Sequence, residues 1–112
     1  MPRLDDDGQT VTLDLHGARV AEAEALALAT VRAAARRGRR TLRIVHGHST
    51  TGQGGGPLGD ARTIKTAIHD ALDRGDYGPH AASSLRAEGH VLVGLSPAAR
   101  PDTGRLRLSD VW

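Results

Sequence analysis

The sequence predicts a two-layer α/β sandwich ordered β-α-β-α-β-β, with a mixed four-stranded sheet and two helices on one of its faces. Three observations carry that expectation. Stretches with strand character at 11–16, 41–45 and 90–95 are separated by two segments whose apolar residues recur at spacings of three and four. Each of those segments stops at a glycine, Gly38 or Gly75. The 112 residues are 38% hydrophobic and 25% charged, the balance of a folded chain long enough for one core and too short for two.

Taken in order, residues 1–10 read as a flexible leader carrying Asp5, Asp6 and Asp7. In residues 11–16, Val11, Leu13 and Leu15 alternate with Thr12, Asp14 and His16, the pattern of a strand with one buried face, and Gly17 breaks it. Val20 to Arg37 is built of Ala, Leu, Glu and Arg, all strong helix formers. Its stripe is Val20, Ala23, Ala27, Val31 and Ala34, broadened by Leu26 and Leu28. Thr41 to Val45 is the second strand. A strand, a helix and a strand this close together make a crossover unit with parallel strands. His46 to Gly59 is a long glycine-rich loop. The second helix then starts at Pro57 or at Asp60, a candidate N-cap, and runs to Arg74. Ala81 to Ala87 is a weaker strand, Glu88-Gly89 a turn, and His90 to Leu95 a strong strand. The main domain is thus expected over 11–95. Residues 96–112 form a C-terminal extension in which Arg105 to Leu108 alternates as an edge strand would.

Composition excludes several classes of function. There is no Cys, which removes disulfides, thiol catalysis and cysteine-held metals. The aromatics are Tyr77 and Trp112, too few for a base-stacking platform. No apolar run reaches the ~18 residues of a membrane span, and residues 1–7 lack a signal peptide's apolar stretch, so a cytoplasmic location without membrane contact is expected. The basic residues are almost all arginine, whose fork suits phosphate. Arg36, Arg37, Arg39 and Arg40 form a local knot, with Arg43 close behind.

Chemistry is expected where the two parallel strands end. Asp14 and His16 lie two apart at the end of one strand, and His46 stands at the matching place in the next. Ligands of open α/β sheets collect at that edge. Two imidazoles can divide general base and general acid work, while a carboxylate orients one of them or holds a divalent metal. A glycine loop can offer backbone N–H groups to a phosphate, although no Gly-Lys-Ser/Thr follows the glycines here. These are the parts for phosphodiester cleavage. His48 lies close enough in the chain to join, but His16, His46 and His48 match no metal-ligand spacing, so no residue is assigned to a metal and a divalent ion is left open. His69 is expected to be exposed on the second helix, and His80 and His90 to be structural.

Leu13-Asp14-Leu15-His16-Gly17, an Ala/Glu-rich helix, and then Ile44-Val45-His46-Gly47 resemble the Smr (small MutS-related) domain family. That family carries a Leu-Asp-Leu-His-Gly signature and, one helix later, an Ile-Ile-His-Gly-Lys-Gly signature. Glu22, Ala23 and Leu26 continue the likeness, while His48 and Ser49 stand where the family has Lys and Gly. The resemblance implies a fold like the C-terminal domain of translation initiation factor three, in a stand-alone member. It also implies nucleic-acid binding and endonuclease activity on DNA or RNA, in DNA repair and recombination or in RNA and ribosome quality control. Asp14, His16 and His46 would be the catalytic residues. Gly47, His48 and Ser49 would contact the nucleic acid at the loop, and Arg36, Arg37, Arg39, Arg40 and Arg43 would grip its backbone. Two other readings stand beside this one: a nucleic-acid-binding module without chemistry, and a small homo-oligomeric adaptor that uses its edge strand and Trp112.

Overall fold

The computed structural model describes residues 2–46, 63–96 and 104–111. Its elements are β1 (Arg3–Asp6), β2 (Thr10–Asp14), α1 (Val20–Arg36), β3 (Thr41–Val45), α2 (Ile64–Arg74), β4 (Ala81–Arg86) and β5 (His90–Leu95), with short 3₁₀ turns at Gly78–His80 and Leu108–Asp110. The sheet is mixed and ordered β1-β2-β3-β5-β4. The β2–β3 pair is parallel, with Leu13 opposite Ile44, and the other three pairs are antiparallel.

The two-layer α/β expectation holds, with one strand more than the four expected. The extra strand is β1, inside the stretch that reads as a leader. Alternation explains why it pairs. Leu4 lies opposite Leu13 and Asp6 opposite Val11, so both join the face that meets the helices. The three aspartates hide this pattern, because a charged residue does not read as core. Asp7 instead closes the β1–β2 turn by accepting the amides of Thr10 and Gln9 at 2.7 and 2.9 Å. Those two hydrogen bonds, Thr10's first, hold its carboxyl below the usual range.

One face of the sheet is the core face. Val11, Leu13, Leu15, Leu42, Ile44, Val91 and Val93 are fully buried there. Each contributes roughly 1.5–3 kcal/mol by leaving water. Helix α1 covers them with Ala23, Leu26, Ala27, Val31 and Ala34, close to the predicted stripe, and α2 adds Ala67, Ile68 and Ala71. Thr30 is buried within α1 and donates its hydroxyl to the Leu26 carbonyl at 2.7 Å. Helix α2 begins later than expected. Its N-cap is Thr63, whose Oγ1 accepts the Thr66 amide, in place of Asp60, which falls outside the described residues.

Residues 105–108 do not form the expected edge strand. Leu106 inserts into the core instead, and its amide donates to Asp6 Oδ2 at 2.7 Å. A tail fastened by a buried leucine and a carboxylate has no ladder to complete. The other face of the sheet carries Asp5, Thr12, Arg43, Leu92 and Leu85 in one row across the strands. Among the described residues, no helix is long and apolar enough to cross a membrane.

Candidate functional site at the histidine edge

Strands β2 and β3 end side by side, where the Leu15 amide donates to the Val45 carbonyl at 2.9 Å. The local chain then explains the Leu-Asp-Leu-His-Gly run residue by residue. Leu13 and Leu15 fill the core. Ala18 N–H donates to the Leu15 carbonyl at 3.0 Å, which closes a four-residue turn with His16 and Gly17 at its centre. Gly17 has φ +85°, and among the described residues no non-glycine has positive φ, so the turn is type II with glycine at the position that needs it. The Asp14 carboxylate accepts the His16 amide at 2.9 Å and braces the turn from below. The result is an imidazole held out from the sheet edge and exposed to solvent. Asp14 therefore positions His16 through its backbone.

His46 follows the same parity as Leu42 and Ile44 and turns toward the helix layer. It is only 9% exposed. Its ring packs edge-on against that of His69, with centroids 5.6 Å apart and planes at 82°. His69, expected to be exposed on α2, is half-buried, and its Nε2 atom has no hydrogen-bond partner among the described residues. Burial pushes its pKa down, and the cations Arg86 and Lys65 add to that against the opposing pull of Asp73 and Asp70. The signal that could have found it is the spacing Ile64, Ile68, His69, Ala71, which places position 69 on the flank of the buried stripe rather than behind it.

His90 also stands at this edge, a place that strand order alone does not reveal. It pairs with Val45, which pairs with Asp14, so Asp14, Val45 and His90 form one row on the face away from the helices. At ~4.8 Å per strand the carboxylate and this imidazole stand on backbones about 10 Å apart. Arg3 extends the row on the far side of Asp14. Gly47, His48 and Ser49 lie outside the described residues. Among those that are described, no three His, Asp or Glu side chains converge as a metal-ligating group.

The arginines of the knot do not join this edge. Arg40 N–H donates to the Gln9 carbonyl at the start of β2, while His46 lies at the other end of β3. Six residues of strand make that separation about 20 Å. The reason is topological: α1 returns antiparallel to the strands, so its last turn lies at the end opposite the histidines. Arg39, expected on the nucleic acid, is 1% exposed. Its Nε donates to Asp6 Oδ1 at 2.7 Å and its two terminal nitrogens to the carbonyls of Arg37 and Gly104. It is a structural residue, and the correction follows from Asp6 being a core-facing position. Arg37 is also engaged, donating to the Gly104 carbonyl at 2.8 Å and lying 3.7 Å from Asp110. Arg36, Arg40 and Arg43 are exposed, Arg43 on the open sheet face.

No curated protein and no solved structure matches the chain. The Smr domain family model does match it, over residues 13–91, which takes in the type II turn, both strand ends, both helices, β4 and the first two residues of β5. On that match, and with the Leu-Asp-Leu-His-Gly turn built as its residues require, the chain belongs to the Smr domain family.

Proposed function

We propose that the protein binds the sugar-phosphate backbone of DNA or RNA at the histidine edge and hydrolyses a phosphodiester bond there. The observation that carries this reading is the braced type II turn, which devotes a carboxylate and a glycine to presenting one exposed imidazole. In this proposal His16 takes the proton of the attacking water, whose oxygen bonds to phosphorus as the bond to the leaving oxygen breaks. A second imidazole returns a proton to the leaving oxygen, and His46, at the adjacent strand end, is assigned that role. Asp14 is a positioning residue, because it acts on the turn and not on the reacting atoms. Family membership supports the nucleic-acid partner, and exposed Arg43 on the open face supplies a contact to the backbone that carries no base information.

A second reading is favoured by one observation: His46 is buried against α2 rather than open to solvent. A module that only binds would use that imidazole as a brace. The two readings part in one assay. Supercoiled plasmid, single-stranded DNA and structured RNA are incubated with wild type, His16→Ala and His46→Ala. Cleavage by wild type that falls by the roughly 10²–10⁴-fold of a lost acid–base group in His16→Ala supports the nuclease. Salt-sensitive binding with no cleavage by any variant supports the module.

A further inference from the structure

The end of the molecule opposite the histidines carries a structure of its own. Gly104 and Leu106 are locked to the body by Arg37, Arg39 and Asp6. This fastening brings Arg105 and Arg107, both exposed on either side of buried Leu106, beside the end of α1 and the start of β3. An open groove of about 390 Å³ lies at the seam, lined by Ala33, Arg36, Arg37, Leu106 and Asp110. Arg36, Arg40, Arg105 and Arg107 are exposed and make no ion pair among the described residues. The described acids nearby are Asp6, buried against Arg39 and the Leu106 amide, Asp110, which accepts the Arg107 amide and faces Arg37, and Asp7, which closes its own turn and feels the charge of Arg105. Four exposed guanidinium groups thus outnumber three described carboxylates that are already engaged.

We infer that the C-terminal segment completes a second polyphosphate-binding surface, formed by Arg36, Arg40, Arg105 and Arg107 at this end of the molecule, with Arg36 lining the groove. The inference rests on the proposed nucleic-acid function and adds a geometry to it. The segment lies outside the residues that match the family, while Arg36 and Arg40 lie within them. Its separation from the histidine edge, about 20 Å, sets the length of ligand that can touch both. A duplex rises about 3.4 Å per base pair along each strand, so about six base pairs are the minimum. Arg43 lies between the two ends on the open face and marks the path. Arg37 and Arg39 are held by the tail and are excluded from the contact set.

The test is fluorescence anisotropy with hairpin stems of about four and about twelve base pairs, either side of that minimum, across a salt series, on the full chain. The variant is Arg36→Gln/Arg40→Gln/Arg105→Gln/Arg107→Gln, with Arg105→Gln/Arg107→Gln as the milder form; circular dichroism confirms the fold of each. Wild type is expected to bind the longer stem more tightly than its extra sites alone explain. The fourfold variant should lose that advantage. Its slope of log K against log salt should fall by about 3.6, since each of the four phosphates left unneutralised removes near 0.9 from the slope. The double variant should show about half that change. An unchanged slope in the fourfold variant, with wild type binding, overturns the second surface and leaves the histidine-edge proposal standing. Failure of wild type to bind any nucleic acid overturns both.

Discussion

Removing the Asp6 carboxylate should unfasten three parts of the molecule at once. Asp6 Oδ1 accepts from Arg39 Nε at 2.7 Å and from the Gly8 amide at 2.9 Å, and Oδ2 accepts the Leu106 amide at 2.7 Å. The two charged side chains are 0% and 2% exposed, so water cannot replace either partner. Breaking a buried pair from one side costs roughly 3–5 kcal/mol, because the remaining charge stays buried. Arg39 keeps the carbonyls of Arg37 and Gly104, which puts Asp6→Ala near the lower end of that range. At about 4–8 °C per kcal/mol for a domain near this size, the midpoint should fall by roughly 12–24 °C. Urea titration followed by circular dichroism measures the loss, and hydrogen exchange at the Leu106 amide reports the released tail. Asp6→Leu/Arg39→Met should recover much of the loss, since an apolar pair of similar volume removes the orphaned charge. Two results would show that Asp6 is not the fastening: a cost below about 1 kcal/mol for Asp6→Ala, or a double variant as unstable as the sum of the singles. The pH dependence has a definite sign. Burial alone would raise the Asp6 pKa, but the hydrogen bonds from Arg39, Leu106 and Gly8 outweigh it and hold the carboxyl below its ordinary 3.8. A depressed folded pKa stabilises above that value, so this contribution is present at neutral pH and is lost as pH falls below about 3.8.

Three further outcomes are expected. Gly17→Ala should cost about 1–2 kcal/mol from the left-handed backbone and should lower activity or binding as His16 is displaced; a variant with wild-type thermal midpoint would show that the turn is not strained by a side chain. Tyr77→Phe should raise stability by about 1 kcal/mol, because the hydroxyl is buried with no partner among the described residues, and it should also flatten the loss of stability above pH 10, where burial keeps the folded phenol protonated against an ordinary value of 10.0; a urea midpoint below that of wild type would count against an unpartnered hydroxyl. His69→Gln should reduce the loss of stability on going from about pH 7.5 to 5.5, since a folded pKa held below the ordinary 6.5 stabilises above that value and fails as pH falls; equal urea midpoints for both proteins across that interval would count against a lowered His69 pKa.

Alternation and helical spacing make most of the fold readable. β3 and β5 fall on the predicted residues because Leu42, Ile44, Val91 and Val93 alternate cleanly with half-buried or exposed neighbours. β1 is hidden because one of its two core-facing residues is Asp6, whose burial depends on a partner thirty-three positions away. Nothing local to Asp5-Asp6-Asp7 reveals which of the three meets Arg39. The same pairing hides the role of Arg39, which looks like its exposed neighbours Arg36 and Arg40. At the site, Asp14, His16 and Gly17 are legible since a short-range turn fixes all three. The orientation of His46 is legible only in part: strand order gives the shared edge, while parity with Leu42 and Ile44 sends the ring to the helix side and onto His69. The distance between the arginine knot and the histidines requires the crossover to be followed through. Few residues of sequence separate Arg39 from His46, yet the direction of β3 puts them at opposite ends.

The most direct test of the histidine edge as the phosphate site is an NMR titration of the imidazole resonances with a non-cleavable phosphorothioate oligonucleotide. The His16 and His46 ring signals are expected to shift together and to saturate with the same affinity, whether or not His80, at the opposite end of the sheet where the second surface lies, also moves. Saturable binding that moves His80 and leaves both His16 and His46 unshifted would contradict the histidine edge as that site.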